Sequence, residues 1–204
     1  IMPRLDTDIK VSSAASSDQT KLRFSLAQLY IALTNPTYNR QLDFKDVLIR
    51  PKRSTLKSRS EVDLARTYTF RNSKKSWTGV PIMVANMDTT GTFEMARALE
   101  HEQLFTCMHK HYTVQDWQQF ASDSPSVLSN IAISAGTSQA DFDRVAQVMK
   151  LVNGIDFICL DVANGYSEHF IDQVRKVREA HADKTIIAGN VVTGEMVEEL
   201  LLTG

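Results

Sequence analysis

Cysteine is scarce in this chain, with two among 204 residues. That excludes a disulfide scaffold and any zinc site built on cysteine pairs. Both, Cys107 and Cys159, stand inside apolar runs, where buried reduced thiols are expected. Neither sits on a glycine-rich exposed loop, so the chain shows no activated thiol nucleophile. Net charge is nearly absent, at −1, which leaves no field to gather a polyanion and argues against a nucleic-acid partner. Long apolar runs are missing too: no stretch approaches the roughly 18 residues of a membrane span, so no membrane partner is expected. Residues 24–33 (FSLAQLYIAL) come nearest, and behind Lys21 and Arg23 they loosely mimic a signal-peptide core. A short amphipathic helix or a disordered tail is the expectation there, and the cytosol is the default compartment. No Gly-x-Gly-x-x-Gly opens a helix after an apolar run, which counts against a dinucleotide-binding doubly wound sheet. No metal triad is visible, and no acid lies clearly beside a candidate base.

What is present has the balance of a globular domain, 43% hydrophobic and 23% charged. Residues 11–20 (VSSAASSDQT) are small and polar, like a linker, and Asn35-Pro36 closes the apolar piece that follows. Residues 1–40 therefore read as a weakly structured N-terminal arm, and 41–204 as the core. A basic, extended segment follows Pro51, with Lys52, Arg53, Lys57, Arg59 and Arg66. It reads as a solvated face or as a reach toward a neighbouring subunit. Val62, Leu64, Tyr68 and Phe70 are evenly spaced, as in a short strand, before a turn at Arg71-Asn72-Ser73.

From residue 80 a repeat sets in. Apolar strand runs are expected at 80–87, 104–108, 130–135, 156–160 and 185–192. Helical stripes alternate with them near 92–101, after Thr113, at 141–151, 170–180 and 194–202. Thr113 and Asp116 have the spacing of a capping box. Representative strand starts at 82, 104, 131, 156 and 185 leave one strand and one crossover helix per repeat. The runs are apolar nearly throughout, as when both sheet faces are covered. The predicted fold is α/β, a (β/α)8 TIM barrel incomplete here at about five of eight units, with a doubly wound sheet as the alternative.

In a barrel the C-terminal strand ends share one face. The polar residues there are Asn86 and Asp88, His109 and Lys110, Ser134 and Thr137, Asp161 and Asn164, and Asn190 and Thr193. They suit a polar, hydroxyl-rich, anionic ligand, with asparagines donating and accepting at once. Asp161 reads as an acceptor for ribose hydroxyls or a carboxamide, or as the cap of a helix beginning near Ser167; the Asn-Gly turn between them disfavours the cap. Lys110 reads as a phosphate contact or a solvated loop charge, and His109 and His111 as site or ordinary loop histidines. Asn190, placed inside an apolar strand, reads as a buried amide that needs partners.

Five segments carry a resemblance: 42–54 (LDFKDVLIRPKRS), 84–89 (VANMDT), 108–112 (MHKHY), 160–167 (LDVANGYS) and 188–196 (AGNVVTGEM). In this order they resemble the eukaryotic GMP reductases of the IMP dehydrogenase/GMP reductase family, over residues 2–10 and about 41–204. Residues 11–40 form an atypical insert without a family counterpart. The resemblance implies NADPH-dependent reductive deamination of GMP to IMP with release of ammonia. It implies cofactor contacts at Ser58, Arg59, Lys110, Asp161, Val162 and Ala163, with Ser58 and Arg59 reaching NADPH in an adjacent subunit. Met87 is implied to line the nucleotide pocket, with Asn190 near the reacting base. It also implies a homotetramer, and a monovalent cation (potassium) whose site, like the catalytic cysteine and threonine, lies beyond Gly204. The chain alone is therefore expected to be inactive. An IMP dehydrogenase-like enzyme is the alternative; many carry a regulatory domain pair between the second and third strands, where about twenty residues here are too few to fold.

Overall fold

A computed structural model describes residues 44–204; the expected arm over residues 1–40 lies outside them. The chain divides into two compact units: residues 44–59 with Val192–Glu195, and Ser60–Val191 with Met196–Gly204. In the second, a hairpin precedes the repeat. Strand β1 (Arg66–Thr69) pairs antiparallel with β2 (Ser76–Gly79). Hydroxyls face each other across it, Thr67 to Thr78 and Thr69 to Ser76, each at 2.8 Å. β1 is exposed along its length and begins later than expected, because Asp63 Oδ1 accepts from the Ala65 amide and turns the chain there. β2 carries one large apolar residue, Trp77, and had no alternation to announce it.

Strands β3 (Met83–Val84), β4 (Phe105–Cys107), β5 (Ile131–Ala135), β6 (Phe157–Asp161) and β7 (Thr185–Gly189) form a parallel sheet in sequential order. Helices α1 (Phe93–Leu99), α2 (Val114–Asp123), α3 (Gln139–Leu151) and α4 (Glu168–Ala180) make the crossovers, and α5 (Gly194–Thr203) follows β7. A doubly wound sheet reverses its strand order at a switch point. This order runs one way through all five, so it is a half-barrel.

The helix starts follow local chemistry. Thr92, Thr113, Ser138 and Ser167 each accept a backbone N–H three residues on, and the Thr113–Asp116 capping box is complete. The sheet's outer face packs on the helices through Met108, Trp117, Phe120, Ile131, Ile133 and Ile158, all at most 1% exposed. Burying each such side chain contributes about 1.5–3 kcal/mol. Phe93 stacks between Tyr112 and Phe120 at centroid distances of 3.7 and 4.0 Å.

The concave inner face is a separate cluster of Phe105, Cys107, Ala132, Phe157 and Cys159. The hairpin closes its N-terminal end. Phe70 meets Phe157 edge-on at 5.5 Å, Trp77 meets Phe105 at 5.7 Å, and Trp77 Nε1 donates to Asn130 Oδ1 at 2.9 Å. Lys75 pairs with Asp156, which also meets Lys184 at 3.4 Å. An apolar cavity of about 200 Å³ between hairpin and sheet has no titratable lining except Tyr68. It is a packing gap at the end opposite the polar loops.

Two strand expectations in the parallel sheet are corrected as well. The run 80–87 shrinks to β3, because Pro81 has no amide to donate and the Ile82 amide turns back onto the Val80 carbonyl. Ile82 and Met83 are 59% and 51% exposed, so this edge is not covered on both faces. The run 185–192 stops at Gly189, where Asn190 leaves the ladder to bond the loop after β6.

Candidate functional site

The polar strand ends meet at the C-terminal rim because five parallel strands in sequential register must bring them there. After β3 the chain turns tightly. The Thr90 and Gly91 amides donate to Met87 O at 3.1 and 2.7 Å, and Thr90 Oγ1 donates to Ala85 O at 3.2 Å. The Gly91 carbonyl then accepts the His109 amide at 2.9 Å, tying this loop to the one after β4. Met87 is 59% exposed on it.

After β4, His109 stacks on Tyr112 at 4.0 Å, and its Nδ1 accepts the His111 amide at 3.1 Å. Burial, reinforced by neighbouring His111, holds its imidazole below the ordinary range. The neutral ring thus keeps its proton on Nε2. Lys110 is exposed beside the loop after β5; a β-carbon at Gly136 would lie 3.9 Å from its Nζ. Asp141, near the start of α3, faces the same loop. Burial pushes its carboxyl up, but the Ser138 hydroxyl and the charges of Lys110 and Arg144 together hold it below the usual range. Arg144 bonds the Ser134 carbonyl at 2.7 Å and pairs with Asp141 at 3.5 Å. Sequence reasoning missed this Asp141–Arg144 support, although Ser138 and Asp141 have the spacing of a helix start.

Asp161 ends β6 with its carboxylate exposed, and Asn86 Nδ2 donates to Asp161 Oδ2 at 3.0 Å. Asp161 does not cap the next helix; Ser167 does. The following loop is stitched to the end of β7. The Val162 amide donates to Gly189 O at 2.9 Å, and the Asn190 amide to Val162 O at 3.0 Å. The Gly165 amide donates to Asn190 O at 3.0 Å. Ala163 is exposed on this loop, and Asn164 Oδ1 accepts the Tyr166 amide at 3.0 Å. Asn190 is not the buried amide expected: residue 190 is exposed, and its backbone groups make these bonds. Its place past the end of β7, rather than within the strand, is the reason.

Met87, Lys110, Val162, Ala163 and Asn190 therefore stand on strand-end loops of one rim, with Asp161 at the last position of β6 beside them. Ser58 and Arg59 belong to the first unit, where both are exposed. Both cysteines are free and buried, at 2% and 7% exposure. Contact with Cys159, burial and nearby Asp161 push the Cys107 thiol up, so it keeps its proton. Among the described residues no three His, Cys, Asp or Glu side chains are placed to hold a metal ion, and no helix is long and apolar enough to cross a membrane. Among the described residues the rim gathers carboxylate and carbonyl acceptors, amides and the exposed ammonium of Lys110, a set suited to recognition.

Residues 41–204 match the model of the IMP dehydrogenase / GMP reductase domain. Over 164 residues the chain is 58% identical to GMP reductase 1 of Homo sapiens, covering 80% of this chain and 48% of that protein. It is 62% identical over 164 residues to the GMP reductase of Phytophthora infestans, covering 80% and 45%. It is 59% identical over 165 residues to the GMP reductase of Escherichia coli O81 (strain ED1a), covering 80% and 48%. The chain thus spans about half the length of the curated relatives it matches. The fold resembles the crystal structure of inosine 5' monophosphate dehydrogenase from Legionella pneumophila, with a TM-score of 0.62 at 24% identity, covering 79% of this chain and 47% of that one.

Proposed function

The chain belongs to the IMP dehydrogenase/GMP reductase family, and from that premise we propose that it carries the cofactor-facing part of a GMP reductase, acting in NADPH-dependent reductive deamination of GMP to IMP. The observation that supports this most is the 58–62% identity to GMP reductases. The span from Cys107 to Ile131 favours it over an IMP dehydrogenase-like enzyme with an inserted domain, because α2 and a single 3-10 helix fill that connection.

The residues of the rim fit such a cofactor by their chemistry. Lys110 offers an exposed ammonium for phosphate, and the Asp161 carboxylate is an exposed acceptor for a carboxamide N–H or ribose hydroxyl. NADPH, when bound, supplies the hydride. Val162 and Ala163 give the cofactor a wall whose backbone is fixed by the bonds to Gly189 and Asn190. Met87 lines the nucleotide pocket, and Asn190 stands near the base. Ser58 and Arg59 reach the cofactor of an adjacent subunit in a homotetramer, and the reaction runs in the cytosol.

Neither buried thiol attacks the purine, so this chain binds the cofactor without turning over GMP. Incubating the purified chain with GMP and NADPH, while following the absorbance and fluorescence of the reduced cofactor, tests this. The expected result is binding without consumption. Consumption coupled to IMP formation overturns the partial-site reading, and absence of NADPH binding overturns the cofactor assignment.

A further inference from the structure

We infer that Asn86 is a positioning residue for Asp161, fixing the orientation in which that carboxylate meets the cofactor. The inference rests on the reading of Asp161 as a cofactor contact and adds a residue that reading leaves out. β3 and β6 are not neighbours; two strands stand between them. The bond from Asn86 Nδ2 to Asp161 Oδ2, 3.0 Å long, therefore crosses the mouth of the concave face. Among the described residues it is the hydrogen bond made by the Asp161 carboxylate.

Both ends are anchored in backbone. Asn86 lies just before Met87, whose carbonyl accepts the Thr90 and Gly91 amides. A β-carbon at Gly91 would come within 3.0 Å of Asn86 Cα, so this turn is packed as closely as a glycine allows. Asp161 pairs with Gly189 in the last register position of the sheet, and the next residue bonds back to Gly189 O. With two fixed backbones, one donated hydrogen bond selects the rotamer of an otherwise exposed carboxylate. It occupies Oδ2 and leaves Oδ1 to accept from a ligand. Removing the donor lets the carboxylate turn among rotamers, and each ligand must then select one of them.

The test is NADPH titration, read by cofactor fluorescence, of the wild-type chain, N86A, N86D, D161A and the double variant N86A/D161A, with a urea unfolding midpoint for each. Asn86→Ala is expected to raise Kd about tenfold, the scale of one hydrogen bond to a charged group. Asn86→Asp keeps the shape but loses the donor, and is expected to lose at least as much. In the D161A background, Asn86→Ala is expected to change nothing further, because its effect passes through Asp161. Unfolding midpoints stay near wild type. Unchanged Kd in N86A or N86D, or full additivity in the double variant, overturns the positioning role. A Kd unchanged by D161A overturns instead the assignment of Asp161 itself.

Discussion

Gly91 shows how a single missing side chain sets the rim. A β-carbon there would overlap the Cys107 carbonyl oxygen and stand 2.8 Å from the Ala85 carbonyl oxygen. These are backbone atoms of β4 and of the turn after β3, and neither can swing away. Gly91→Ala is therefore expected to cost about 1–3 kcal/mol, as overpacking does, in urea unfolding. It is also expected to weaken NADPH binding, since the displaced turn carries Asn86. Gly136 is the contrast. Its nearest neighbour would be the tip of the Asp141 carboxylate at 3.1 Å, a side-chain end that can shift. Gly136→Ala is expected to cost within about 0.5 kcal/mol. Equal losses at the two positions would show that the turn after β3 yields more readily than its packing implies.

At the scale of elements, the start of α3 ties stability to acidity. Asp141 is held below its ordinary value of 3.8, burial notwithstanding, by Ser138, Lys110 and Arg144. A carboxyl depressed in the folded state stabilises the fold above the ordinary aspartate range and loses that contribution as pH falls through the depressed value. The difference in unfolding free energy between wild type and D141N is thus expected to be largest near neutrality. It should shrink as pH drops past 3.8, in urea titrations at stepped pH; a constant difference would remove Asp141 from the acid response. Elements were legible in the sequence where their signal is local. The Thr113–Asp116 cap, the crossover helices and the four strands from residue 104 onward follow from short-range pattern. β2 did not, because Trp77 stands alone among polar neighbours, and the partners that half-bury it, Tyr68 across the hairpin and Phe105 of β4, are not adjacent in sequence. The Asn86–Asp161 bond joins positions 75 apart, and Asn190 looked buried because its apolar neighbours suggested a longer strand than the loop after β6 permits.

The whole half-barrel separates its two tasks by end. The hairpin, with Phe70, Trp77 and the Lys75–Asp156 pair, holds the N-terminal end, and the loops after β3 to β7 hold the polar rim. Between them the concave face buries both thiols, with Cys107 at 2% and Cys159 at 7% exposure. Thiols there report on the integrity of the inner face, since a labelling reagent reaches them only when strands part. In an aromatic-disulfide labelling experiment at neutral pH, neither cysteine is expected to react within the time of the free thiol, and both should react in urea. NADPH is expected to slow the residual native labelling in proportion to its occupancy, because a ligand bound only by the folded rim lowers the open population. Rapid native labelling of either cysteine would mean that the inner face opens freely, and it would make that thiol a candidate for nucleophilic chemistry. Slow labelling unaffected by NADPH would leave the core closed but separate its opening from the rim, so that the hairpin end alone governs access.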